Sequence, residues 1–313
     1  MTALPEATFM AIAADRESGA AELAERGLDL AAAVAAAAPS AAEARARAAA
    51  VALRLAEVRP AMAPLGNWAA AFHSDLVAAL GRGETPADAA RSVRAEVGGR
   101  KRAVVEAVVA TAREALAEAR VVVTLGYSST VAESLAALPG CRAVVAEARP
   151  GLEGRHLCQR LLAGGGFVTC ITDAALALAA ADADAVIIGA DAIAPDGSAV
   201  NKTGSRLAAL AAADARIPFY VLADGFKLDL RGHPTVEVMA PGEVWPEHPE
   251  LCRNVPFETV PARLITAHLT DEGCVLPSAI GARAEALRTL WAAVTADTGL
   301  AERPDDDEDE PRE

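Results

Sequence analysis

Ala185-Val-Ile-Ile-Gly-Ala-Asp-Ala-Ile193 is an apolar run broken only by a glycine and a carboxylate. Four successive Ala, Val and Ile residues suit a strand covered on both faces, not one with a wet side. Comparable short runs occupy 121–125, 143–147, 167–172, 219–223 and 264–268. Stretches with helical spacing lie between them, at 131–138, 156–162, 174–181 and 205–214. Apolar strands alternating with helices predict a parallel sheet clothed on both faces. Ligands of such sheets sit in the crevice beyond the carboxyl ends of the strands, so function is sought just after each run.

Upstream of residue 118 the pattern differs. Ala, Leu, Val, Arg and Glu recur at helical spacing over 20–37, 41–57 and 101–119, with no convincing strand. Breaks fall at Pro39-Ser40, across 59–67 and across 81–86, and Thr85-Pro86 reads as a helix start. The expected organisation is an all-helical domain over 1–118, a Rossmann-like parallel-sheet domain over 119–300, and an acidic tail over 301–313. The tail carries the like-charge run Asp305-Asp-Asp-Glu-Asp-Glu310.

Composition limits the function classes. A net charge of −14 over 313 residues argues against a broad nucleic-acid surface, which needs clustered Lys and Arg. Only three lysines occur, which makes Lys202 and Lys227 conspicuous. No apolar run reaches the roughly 20 residues needed to span a bilayer, and no secretory leader is evident, so a cytoplasmic location is expected. The five cysteines (Cys141, Cys158, Cys170, Cys252 and Cys274) form no Cys-x-x-Cys pair, so neither a metal nor a disulfide framework is expected.

Three post-strand segments carry chemistry. Thr124-Leu-Gly-Tyr-Ser-Ser-Thr130 runs from a strand into a helix, with Gly126 allowing close approach and Ser128 and Ser129 at a helix N-terminus suited to phosphate. Ordinary helix capping is the plainer alternative. Glu147-Ala-Arg-Pro-Gly-Leu-Glu-Gly-Arg155 offers Arg149 and Arg155, as phosphate ligands or as partners of Glu147 and Glu153. The third couples Asp191, whose pKa desolvation could raise toward acid/base duty, to Asn201-Lys202, expected at the start of another helix. No Gly-x-Gly-x-x-Gly follows the first strand, so a nicotinamide dehydrogenase is disfavoured.

In order, Thr124-Leu-Gly-Tyr-Ser-Ser129, Glu147-Ala-Arg-Pro150, Ile171-Thr-Asp173, Gly189-Ala-Asp191, Asn201-Lys-Thr-Gly204, Pro218-Phe-Tyr-Val221 and Gly225-Phe-Lys227 resemble one family's motifs. It unites the α, β and δ subunits of translation initiation factor 2B with methylthioribose-1-phosphate isomerase and ribose-1,5-bisphosphate isomerase. Asn254-Val-Pro-Phe-Glu258 and Val260-Pro-Ala-Arg-Leu-Ile-Thr266 continue the match to about residue 277. Ser18-Gly-Ala-Ala-Glu-Leu23 and Arg59-Pro60 resemble its helical-domain positions.

The resemblance implies a helical domain on a Rossmann-like one, a homodimer or higher homo-oligomer, and no cofactor. It implies a pocket for a phosphorylated sugar or nucleoside monophosphate, with Asp191 as acid/base. Asn201 and Lys202 would contact the sugar, and Arg59 and Lys227 the phosphate. The isomerases add a cysteine in the first loop, and Gly126 stands in its place here. Cys170 and Tyr127 are the candidates to replace it. Gly-Tyr-Ser-Ser resembles the initiation-factor branch, which uses the pocket for regulation. A regulatory or weakly catalytic binder is therefore the leading expectation. An aldose–ketose isomerase of ribose-1,5-bisphosphate type and a subunit contacting a translation factor are the alternatives.

Overall fold

A computed structural model describes residues 4–15, 18–231 and 237–298. The acidic run at 305–310 lies outside them. Five helices come first: α1 (Glu6–Ala14), α2 (Ala20–Ala36), α3 (Ala41–Val58), α4 (Ala63–Gly81) and α5 (Pro86–Ala115). Alanine lets these helices approach closely. Ala24, Ala31, Ala48, Ala52 and Ala70 are fully buried around Leu23, Leu55, Trp68 and Phe72. Each large side chain so buried contributes roughly 1.5–3 kcal/mol. The break expected across 59–67 is shorter than that, because Pro64 sits in the first turn of α4. A proline there lacks only an N–H that has no intrahelical acceptor anyway.

After α5 the chain alternates β1 (Val121–Leu125), α6 (Ser129–Ala136), β2 (Arg142–Ala146), α7 (Glu153–Ala163), β3 (Phe167–Ile171), α8 (Leu176–Ala181) and β4 (Ala185–Ile188). A short hairpin, β5 (Ala192–Ile193) with β6 (Ala199–Lys202), precedes α9 (Ser205–Ala215) and β7 (Phe219–Leu222). The chain closes with β8 (Phe257–Val260), β9 (Ala267–Thr270), β10 (Gly273–Val275) and α10 (Ala284–Thr298). The strand expected at 264–268 thus lies later, at 267–270. Residues 262–264 form a short 3-10 turn after Pro261.

The main sheet runs β10-β9-β7-β4-β1-β2-β3 and is parallel except for β10. Alternate side chains face opposite sides. Val123, Val186 and Val221 pack with α8 and α9, while Val122, Val145 and Ile187 pack with α5, α6 and α7. Both faces are therefore dry across the central strands β1, β4 and β7, whereas outer strand β3 is largely exposed. β5, β6 and β8 form a separate antiparallel sheet.

Two helices join the helical layer to the sheet. The first half of α5 packs among the helices through Ala89, Val93 and Val97, and its second half lies on the sheet through Val108 and Ala112. At the other end of the chain, α10 packs on α3 and α4. Asn67 on α4 fastens the junction. Its amide donates to Phe226 O and Leu228 O, each at 2.8 Å, and its Oδ1 accepts from Trp291 Nε1 at 2.8 Å. Trp68 stacks on Phe226 with centroids 3.6 Å apart.

Candidate functional site

The sheet's strand order reverses at β1, with β2 on one side and β4 on the other. The chain leaves this switch point in opposite directions, which opens a crevice beyond the ends of β1 and β4. Gly126 ends β1 at φ +65°, and Ser128 then caps α6, its Oγ 3.4 Å from Val131 N. Gly189 ends β4. A Cβ there would lie 2.7 Å from Ser128 Oγ, so only glycine lets the two loops pass so closely. Asp191 follows, held by its N–H to Val200 O at 2.8 Å.

A cleft opens here, with about 1050 Å³ of empty space when its open mouth is counted. Tyr127, Ser128, Ser129, Asp191, Asn201, Lys202, Arg59 and Lys227 all line it. Arg59 comes from the end of α3 and Lys227 from the turn that Asn67 and Trp68 hold, so the helical layer supplies part of the wall and positions more of it. Gly126 lies just behind, where an added Cβ would meet Ala148 Cβ at 3.7 Å and Lys202 Cγ at 4.0 Å. Arg149 lines an adjoining cleft instead, and its Nη2 donates to Val244 O at 2.8 Å.

Asn201 and Lys202 do not open a helix, as expected above, but end strand β6. The N-terminus of α9 is closed by Glu258, whose Oε1 accepts from Gly204 N and Arg206 N. Asn201 donates to Ser205 Oγ at 2.9 Å. Arg155 takes the plainer of its two readings, pairing with Glu147 at 2.6 Å. Tyr127 Oη accepts from Arg160 Nη1 at 2.8 Å. Cys170 sits on β3, the outer strand of the sheet, beside Cys158 rather than at the cleft. Burial and that neighbour push the Cys158 thiol up, away from reactivity.

Three lining features were not placed in the site by the sequence: Ser18-Gly19 ahead of α2 and Glu22 on it, noted there only as resembling helical-domain positions, and Glu153, noted only as a partner for neighbouring arginines. Glu153 faces Lys202, with Oε1 2.5 Å from Nζ. Its carboxylate lies over Gly151, where a Cβ would come within 2.5 Å of Oε1. The pairing of a carboxylate with a glycine two residues earlier is the signal that could have found it.

Burial raises the Asp191 pKa, against the pull of Lys227, Lys202 and Arg59, while Glu237 adds to the rise. Asp224, behind Lys227, is raised by burial too. A carboxyl with a raised folded-state pKa binds protons more readily folded than unfolded. Its contribution to stability is complete below the unfolded value, near 3.9, and is lost as pH rises through the folded value. Asp191→Asn removes that loss. The variant is expected to melt at a higher temperature than the parent, with a gap that widens from pH 4 to pH 8. A gap that stays constant across that series of melts would show that Asp191 is not the titrating group.

Chemically, the cleft joins three cations and a row of hydroxyls at a helix N-terminus to a carboxyl whose pKa burial raises. That set can hold an anion and move one proton. Among the described residues no group of His, Cys, Asp and Glu could hold a metal, and no helix is long and apolar enough to cross a membrane.

The model of the initiation factor 2 subunit family matches residues 16–277. Over 167 residues the chain is 35% identical to a translation initiation factor eIF-2B subunit 2-like protein of Pyrococcus horikoshii, covering 50% of this chain and 58% of that one. It is 38% identical over 172 residues to the methylthioribose-1-phosphate isomerase of Pelotomaculum thermopropionicum, covering 49% of this chain and 47% of that one. The chain thus spans about half the length of these curated relatives. The crystal structure of the Pyrococcus horikoshii translation initiation factor eIF-2B superposes with a TM-score of 0.73 at 26% identity, covering 87% of this chain and 96% of that chain. With a family match running from before α2 to beyond β10 and a shared fold, this chain belongs to the initiation factor 2 subunit family.

Proposed function

We propose that the cleft around Asp191 binds a phosphorylated sugar or a nucleoside monophosphate, and that the chain acts through binding more than through turnover. The observation that carries this is that Asp191 stands among Arg59, Lys202 and Lys227, while Gly126, in the place of the isomerases' cysteine, has no side chain. A ligand phosphate would meet Arg59, Lys227 and the α6 N-terminus, and the sugar hydroxyls would meet Asn201 and Asp191. Interconverting an aldose and a ketose moves one proton between two carbons and another between two oxygens. Lacking a positioned second group costs such a reaction roughly 10²–10⁴-fold.

The second reading, an isomerase of ribose-1,5-bisphosphate type, draws on the raised Asp191 pKa, a property suited to general acid/base work. On either reading the chain works as a homo-oligomer, in keeping with exposed Phe167 on outer strand β3 and exposed Leu162 and Leu178 nearby. A translation factor is the partner that the family relation suggests.

Calorimetry with ribose 5-phosphate and with AMP, alongside a turnover assay on ribose 1,5-bisphosphate, tests both. Binding without turnover supports the first reading. Turnover lost in Asp191→Asn would establish the second, and the absence of both binding and turnover would remove both.

A further inference from the structure

Two buried atoms of residues lining the cleft make no hydrogen bond, and they are of opposite kind. Arg59 is 4% exposed, and its Nε–H is a buried donor that makes no hydrogen bond. It forms an ion pair with Glu237, 3.4 Å from Oε2, without a hydrogen bond. Glu153 Oε2 is a buried acceptor with no donor, while its Oε1 holds Lys202 at 2.5 Å. A buried unpaired polar atom is costly, so a ligand that completes both is favoured over one that completes neither. The donor calls for an acceptor such as a phosphate oxygen. The acceptor calls for an O–H or N–H, and repels an anion.

The backbone supports a deliberate placement of Glu153. Ala148 and Leu152 are non-glycine residues at φ +59° and +62°, in the left-handed region that costs an L-residue roughly 1–2 kcal/mol. Leu152 starts α7, so this turn delivers Glu153 to the cleft in the first helical turn. Gly151 leaves the space its carboxylate fills. Charge is balanced as well: among the described lining residues Arg59, Lys202 and Lys227 face Asp191, Glu153 and Glu22. The site has little capacity for a second dianion.

We propose that Glu153 is the specificity-determining residue of the cleft, admitting sugars with one phosphate at the Arg59 end and a free hydroxyl at the Lys202 end, and excluding bisphosphates. The inference rests on the sugar-phosphate reading above and sharpens it. A second phosphate at Lys202 would have to displace the carboxylate or lie against it, and like charges brought together at that range disfavour the complex strongly. A hydroxyl there donates to Oε2 and accepts from Lys202, disturbing neither.

Calorimetry with ribose 5-phosphate and ribose 1,5-bisphosphate reads this directly. The wild-type chain is expected to bind the monophosphate at least about tenfold more tightly. Glu153→Gln, which keeps the shape and removes the charge, is expected to shift the ratio of affinities by roughly 10- to 100-fold toward the bisphosphate. Gly151→Ala provides a second route, because its Cβ expels the carboxylate from its place without altering net charge; it should shift the ratio the same way. Equal wild-type affinities, or a ratio unmoved in both variants, overturn the role of Glu153 and leave the sugar-phosphate reading standing. Failure of the wild-type chain to bind either sugar overturns both.

Discussion

Asn67→Leu is expected to lower unfolding stability by about 3–5 kcal/mol, as read from urea denaturation. Leucine keeps the branching at Cγ but is larger and cannot hydrogen-bond, so lost polar partners dominate and some overpacking adds to them. Asn67 satisfies three groups at once, the carbonyls of Phe226 and Leu228 and the indole N–H of Trp291. Stranding a buried polar group costs roughly 1–3 kcal/mol, and the substitution strands three. The damage should reach the site too, because Lys227 belongs to the turn that Asn67 anchors, and affinity for ribose 5-phosphate should fall with stability. A loss under about 1 kcal/mol would mean that water reaches these groups and that the junction is looser than its hydrogen bonds indicate.

Gly126→Cys is expected to raise isomerase turnover of ribose 1,5-bisphosphate by roughly 10²–10⁴-fold in kcat, the usual contribution of one positioned acid or base. Saturating substrate keeps the binding preference set by Glu153 out of the comparison. The new side chain fits: its Cβ would make ordinary contacts at 3.7 and 4.0 Å, the latter to Lys202 Cγ. The nearby ammonium favours the thiolate. The cost is conformational, since φ +65° taxes any L-residue by roughly 1–2 kcal/mol, and a melt should register it. A folded variant with no gain in turnover would show that more than the thiol separates this cleft from an isomerase.

The parallel sheet could be read from the sequence because its central strands are buried on both faces. Ala185-Val-Ile-Ile188 needs no partner to be recognised as interior. β6 was hidden for the opposite reason: Ala-Val-Asn-Lys is short, half polar and set in a small antiparallel sheet, so no periodicity develops. Pro64 looked like a break because a proline's cost depends on its position within a helix, and sequence spacing does not give that position. At the site, residues just after strands were the legible ones, since topology alone brings Ser128 and Asp191 together. Arg59 came from resemblance alone, as nothing local marks a residue on another layer, while Lys227 stood out by the rarity of lysine and took its role from resemblance. Glu153 was seen only as a neighbour of Arg149 and Arg155, because its partner Lys202 is 49 positions away.

The return of α10 to the helical layer bears on the order in which the chain can mature. Trp291 meets Asn67, and Asp297 meets His73, across 224 positions, and Asp297 meets Arg45 across 252. During synthesis α3 and α4 emerge early, yet the face that α10 covers stays bare until the residues beyond Ala284 have been made. Contacts this distant along the chain close slowly, and an uncovered apolar face in the meantime invites association. The helical layer is thus first to be translated and among the last to be completed, and the growing chain depends on its final helix to shield its first ones.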